Sequence, residues 1–222
     1  MNLSQYLKTL NKTSCPDNCE LKSKSEITPV TVPPPEEIVG IIVSRDPTVD
    51  WLYSHLKREE DEKIRHDVLF ASAIPLSVIT KVLIFMRGRI DENTKEKLFE
   101  VLFHKTYWTH LHKCQTDVNN KISTEFKSKN ANKCADKWLT EELQAAITDD
   151  TRFIISLGAD VRKRVQKWEK ENGKGITLIN LPHPSGQNNA IWYRAEKIGT
   201  DVINRTEADI CRLIDICTGP AR

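Results

Sequence analysis

Four short apolar runs, separated by longer stretches of helical period, set the architecture this chain can reach. IVGIIVS (Ile38 to Ser44), KTYWTHLH (Lys105 to His112), RFIISLG (Arg152 to Gly158) and ITLINLP (Ile176 to Pro182) are rich in β-branched and aromatic residues. Runs of that length and make-up read as buried strands. Between them stand helical patterns. PLSVITKVLIFM (Pro75 to Met86) places proline where a first helical turn tolerates it, and DENTKEKLFEVLF (Asp91 to Phe103) carries acids early. NKCADKWLTEELQAAI (Asn132 to Ile147), ADVRKRVQKWEKEN (Ala159 to Asn172, stopped by Gly173) and DVINRTEADICRLIDIC from Asp201 complete the series. Strands alternating with helices predict an α/β fold, a three-layer αβα sandwich around a central, mostly parallel four-stranded sheet.

Residues 1–36 lack sustained apolar periodicity, carry Cys15 and Cys19 and end in Pro33-Pro34-Pro35, so they read as an arm laid over a body. The remaining residues, 37–222, are enough for a single domain. The 33 basic and 31 acidic side chains nearly cancel, so net charge carries no nucleic-acid footprint. No apolar run approaches the roughly 20 residues of a membrane span, and MNLSQYLKTLNK does not read as a signal peptide. A soluble, cytoplasmic monomer is expected. Six cysteines in such a chain point to metal ligation or plain burial rather than to a disulfide framework.

In parallel sheets of this kind ligands bind beyond the carboxyl ends of the strands. The first strand runs into Ser44-Arg45-Asp46-Pro47-Thr48, the second into His110-Leu111-His112-Lys113-Cys114, and the fourth into His183-Pro184-Ser185-Gly186. These loops are expected to converge on one rim. Asp46, held by the following proline, either orients a water and faces developing positive charge or makes a turn. His183 lies between two prolines, so its ring either points at a ligand or bonds a backbone carbonyl. Ser185, Gly186, Gln187, Asn188 and Asn189 offer short donors at a helix start, suited to phosphate or to a polar cap. Arg162, Lys163, Arg164 and Lys167 form a basic helix face that contacts phosphates or is simply solvated. The charged segment from Trp51 to Asp67 reads as a solvated helix.

The HPSG loop at His183 resembles the second signature of the uracil-DNA glycosylase superfamily, and SRDPT resembles the first, which reads GQDPY or GEAPG in its best-known classes. ISLGADVRKRV (Ile155 to Val165) is similar to the family's third-strand segment, and the matches fall in family order along the chain. The cysteines make it most like the iron-sulfur class, often called family 4. Cys15-Pro16-Asp17-Asn18-Cys19, YWTHLHKC ending at Cys114, and Cys134 opening a helix stand where that class has its ligands. The resemblance implies a 4Fe-4S cluster on Cys15, Cys19, Cys114 and Cys134, with zinc the alternative for the same four thiolates. Cys211 and Cys217 are expected to be inert.

What the resemblance implies about function is a DNA glycosylase of base-excision repair, acting on DNA that carries uracil or another deaminated base. Asp46 matches the aspartate that positions water, and His183 the histidine that bonds the departing base. Phe70, in VLFASAIP, resembles the aromatic that stacks on the base; its other reading is core. Ser185 and Gly186 would contact phosphate, and Gln187 or Asn188 the wedge position. Three departures concern the base site. His110 stands in place of the uracil-reading asparagine, Arg45 in place of Glu or Gln, and Thr48 in place of a glycine. They keep open a catalytically silent member that binds DNA or a repair partner. A third reading is a metal-stabilised α/β protein with a small-molecule ligand.

Overall fold

The computed structural model describes residues 2–10, 15, 19, 29–45, 62–114 and 133–220, and for 62–72 the backbone alone. Strands form inside all four apolar runs: β1 (Gly40–Ser44), β2 (Thr106–His110), β3 (Phe153–Leu157) and β4 (Thr177–Leu181). Every pairing is parallel, in the order β2-β1-β3-β4. Helices flank this sheet, so the α/β expectation holds, and the sheet is wholly rather than mostly parallel. β1, β2 and β3 are buried at every residue, as strands covered on both faces require, whereas β4 at one edge is partly covered.

One position in the sheet admits only glycine. Gly40 pairs with both Thr106 and Phe153, and a Cβ there would stand 2.1 Å from Cζ of the buried Phe153 ring. Gly40→Ala is expected to destabilise the fold by about 1–3 kcal/mol through overpacking. Denaturant unfolding would show a lower midpoint at unchanged slope. An unchanged midpoint would mean the ring shifts without cost.

The amino-terminal arm holds a helix that its weak periodicity concealed, α1 (Leu3–Thr9), started by a capping box between Asn2 and Gln5. Leu3 and Tyr6 are buried, and the Tyr6 hydroxyl donates to the Trp138 carbonyl at 2.7 Å. Seven residues supply only two core positions, too few to register as a period. The helix α2 spans Glu62–Met86, so Pro75 lies inside it rather than in its first turn. Proline in a helix interior costs about 3 kcal/mol, which the packing of a helix this long outweighs. Ser77 and Thr80 hydroxyls bond the carbonyls of Ala73 and Leu76 beside it. Of the charged segment from Trp51 to Asp67, positions 62–67 belong to α2 and 51–61 lie outside the described residues.

Asp91 caps α3 (Glu92–Phe99) by accepting the Thr94 N–H at 2.8 Å, and α3 passes into a π-helical turn, Glu100–His104. A second π turn, Ala135–Leu139, leads into α4 (Thr140–Ala146). Then come α5 (Ala159–Asn172), the short α6 (Asn189–Trp192) and α7 (Thr200–Thr218). As its period predicts, α5 buries Val161, Val165 and Trp168. Of the basic face Arg162, Lys163, Arg164 and Lys167, two residues are engaged with acids, Arg164 with Asp136 and Lys167 with Glu171. That weakens the case for α5 as a phosphate-binding face. Among the described residues no helix is long and apolar enough to cross a membrane.

Candidate active site

The strand order places a topological switch between β1 and β3: the chain leaves β1 toward β2 on one side and leaves β3 toward β4 on the other. Crevices at the carboxyl ends of such neighbours are where open parallel sheets bind ligands. A cavity of about 360 Å³ lies there, walled by Arg45 after β1, Leu157 to Val161 after β3, and His183, Ser185, Gln187 and Asn188 after β4. Rim loops far apart in sequence therefore do share one crevice. Gly158 makes the β3 turn possible, with φ of 93° closed to most side chains, and its N–H bonds the Leu181 carbonyl at 3.0 Å.

The loop at His183 is bonded from three directions. Its Nδ1 accepts the Ser185 backbone N–H at 3.2 Å, while its carbonyl accepts from Asn188 Nδ2 (3.0 Å) and from the indole of the fully buried Trp192 (3.3 Å). A ring nitrogen that accepts an N–H holds a lone pair, so the proton of neutral His183 sits on Nε2. The ring is thereby set as a hydrogen-bond donor from Nε2. The sequence reading, with a histidine held between prolines, anticipated its restraint but not its tautomer. Gly186 opens a 3-10 turn, Gly186–Asn188, and is absent from the cavity wall.

The other predicted site residues are not among those that line this wall as described. Asp46, Pro47 and Thr48 lie outside the described residues, and Phe70 is on α2 with its side chain likewise outside. His110 ends β2, 1 % exposed, its ring tilted against Trp108 with centroids 4.6 Å apart, and it is apart from the residues lining the cavity. Among the described residues its Nε2 has no hydrogen-bond partner. Burial first, then the neighbouring Lys113 and His112, hold its pKa well below the usual imidazole value. The unfolded chain therefore takes up a proton that the folded chain refuses. Stability is full above the unfolded pKa of about 6.5 and is lost as pH falls below it. Melting temperature should decline between pH 7.5 and 5.5, and less so in His110→Asn; equal slopes in both proteins would refute this.

The carboxylate the sequence reading missed is Asp160, in the first turn of α5 and on the cavity wall. Its only signal was an acid at a helix start beyond a strand. Also missed is a buried polar network below the end of β2. Lys113 and Glu142, each with a side chain 2 % exposed, form an ion pair. Lys113 also donates to Thr109 Oγ1 (2.6 Å) and to the His110 carbonyl (2.7 Å), and Glu142 accepts from Thr109 and from the Tyr107 hydroxyl (2.7 Å).

The predicted cysteine quartet gathers beside that network. Cys15, Cys114 and Cys134 are buried and Cys19 is half-buried. A bond to Cys19, burial and the nearby Cys114 all push the Cys15 thiol up. Burial raises Cys134, which interacts with Cys19 and is held down partly by the Lys113 backbone N–H. Pro29 bridges antiparallel to Cys114, and the Val30 N–H bonds the Lys113 carbonyl at 2.6 Å, tying the arm to the segment after β2. Among the described residues no set of three or more His, Cys, Asp or Glu side chains is arranged to hold a metal ion. The donor chemistry of the four thiols fits a soft metal. Cys217 is buried, its thiol pushed up to about 12 by desolvation, and Cys211 is exposed.

Neither a protein-family model nor a curated protein matches this chain.

Proposed function

We propose that this protein is a DNA glycosylase of the uracil-DNA glycosylase kind, removing uracil or another deaminated base by hydrolysis of its N-glycosidic bond. The observation that carries the reading is the Ser185 N–H bond to His183 Nδ1, which turns Nε2 into the donor, on the wall of a cavity at the switch point. A cavity of this volume falls in the range of small-ligand sites and takes one extruded base.

As the bond from C1′ to the base nitrogen breaks, the electron pair leaves with the base and positive charge is left on the sugar. His183 Nε2–H donates to a carbonyl oxygen of the departing base, where negative charge develops. Water adds to C1′, and its proton goes to the bulk or to the released base. Asp46, by resemblance, positions that water and faces the cation. Ser185, Gln187 and Asn188 line the mouth where the flanking strand would pass. Arg45 on the same wall adds a fixed cation that favours an anionic leaving base or a phosphate.

Cys15, Cys19, Cys114 and Cys134 would hold a 4Fe-4S cluster or zinc. A bound metal supplies a structural clamp between the arm, the segment after β2 and the turn leading to α4. Iron, zinc and sulfide analysis of freshly purified protein decides between the two metals.

Oligonucleotides carrying uracil, hypoxanthine or xanthine, incubated with the protein and then treated with alkali, should break at the modified base. Duplex binding without cleavage of any of them would favour the catalytically silent alternative.

A further inference from the structure

Two consecutive aromatic residues after the His183 loop face opposite ways. Trp192 is fully buried and bonds the His183 carbonyl, whereas Tyr193 is 46 % exposed. Cations frame the exposed ring: Lys81 Nζ lies 5.3 Å and the Arg87 guanidinium 5.8 Å from its centroid. Lys81 bonds the neutral Asn189 side chain at 2.7 Å, tying this patch to the start of α6. Arg194 follows, lying over Phe85 and sharing Glu207 with Arg89. The cluster so linked holds four cations and one carboxylate.

The backbone shows how two of these cations reach the ring. Among the described residues, those other than glycine with positive φ are Arg87 (20°) and Arg194 (53°), and both border Tyr193. That region is unfavourable for a residue bearing a Cβ. Both follow helix ends, Arg87 after α2 and Arg194 after α6, where a left-handed residue commonly closes the last turn, so two helix ends bring their cations to one exposed ring.

We infer that Tyr193, with Lys81 and Arg87 beside it, is a contact for a single-stranded or locally unpaired nucleic-acid segment. A base stacks on the ring and the adjoining phosphates meet the cations. A base offers a π face and an anionic backbone together, which is the pairing this patch complements. An acidic peptide would meet the cations but leave the ring without a stacking partner. Trp192, bonded to the His183 carbonyl, ties the patch to the rim loop. The inference rests on the glycosylase reading for the identity of that strand, and requires no excision.

The test is fluorescence anisotropy of the full-length protein with an undamaged, labelled single-stranded oligonucleotide over a range of salt. Tyr193→Ala should weaken binding by about tenfold, and Tyr193→Phe, which keeps the ring, should restore it. Arg87→Gly removes the cation and relieves the positive φ, so its melting temperature should not fall. Its slope of log affinity on log salt should drop by about 0.7, one phosphate on a single strand. Affinity unchanged in both Tyr193→Ala and Arg87→Gly would overturn the inference. So would absence of single-strand binding, or a preference for a polyglutamate peptide. Excision with ring-independent binding sinks this inference alone, and ring-dependent binding without excision of any base sinks the glycosylase reading alone.

Discussion

His183→Ala is expected to lower the excision rate by about 10²- to 10³-fold while leaving the loop in place. The magnitude is that of removing one preorganised donor aimed at developing negative charge. The loop should persist because the bonds from Asn188 and Trp192 reach the His183 backbone carbonyl, not its ring. Loss of the imidazole deletes the Nε2 donor and the acceptor of the Ser185 N–H, while both bonds to the backbone carbonyl stay. Single-turnover kinetics on a uracil-bearing duplex, with circular dichroism as the check on folding, measure it. A drop of less than about fivefold with the fold intact would remove His183 from the chemistry and with it the main support for the proposed mechanism.

The second large effect is structural. Lys113→Met should destabilise the protein by about 3–5 kcal/mol, because it leaves the Glu142 carboxylate buried without its cation. Two hydroxyls would remain on that carboxylate, from Tyr107 and Thr109, too little to solvate a full charge in the interior. The double variant Lys113→Met with Glu142→Leu should recover most of the loss, since apolar side chains can replace a buried pair at small cost. Chemical denaturation of the three proteins measures both steps. If the single variant is as stable as the parent, water reaches the site and the pair is not buried as described.

Much of the architecture was legible locally. Each strand lies within its predicted run, and Asp91 caps α3, where an acid before a helical pattern is a local signal. The inward face of α5 was legible for the same reason, since Val161, Val165 and Trp168 repeat at helical spacing. Pro75 misled because its local preference for a first turn competes with packing along the whole of α2. The arm's helix escaped because it is held by the distant Trp138 rather than by its own pattern.

The candidate site was legible only as a set of loops. That β1 and β4 end on one rim follows from parallel strands, and Arg45, His183, Ser185, Gln187 and Asn188 do meet there. His110 ends β2 on the far side of β1 from that wall, a separation that depends on sheet order. Asp160 has the composition of an ordinary helix start, and nothing in its neighbours sets it apart.

The sequence by itself determined the strands, most of the helices, the α/β class and the loops that carry polar chemistry. Those follow from periodicity and backbone preference, which act between residues a few positions apart. Tertiary structure alone decided the strand order, the proton position on His183, the Lys113 and Glu142 pair and the framing of Tyr193 by Lys81 and Arg87. Most of these join groups far apart along the chain, and even the short Ser185 to His183 bond depends on a loop pinned by buried Trp192. Such contacts form when the whole core closes, so no local window of residues contains them.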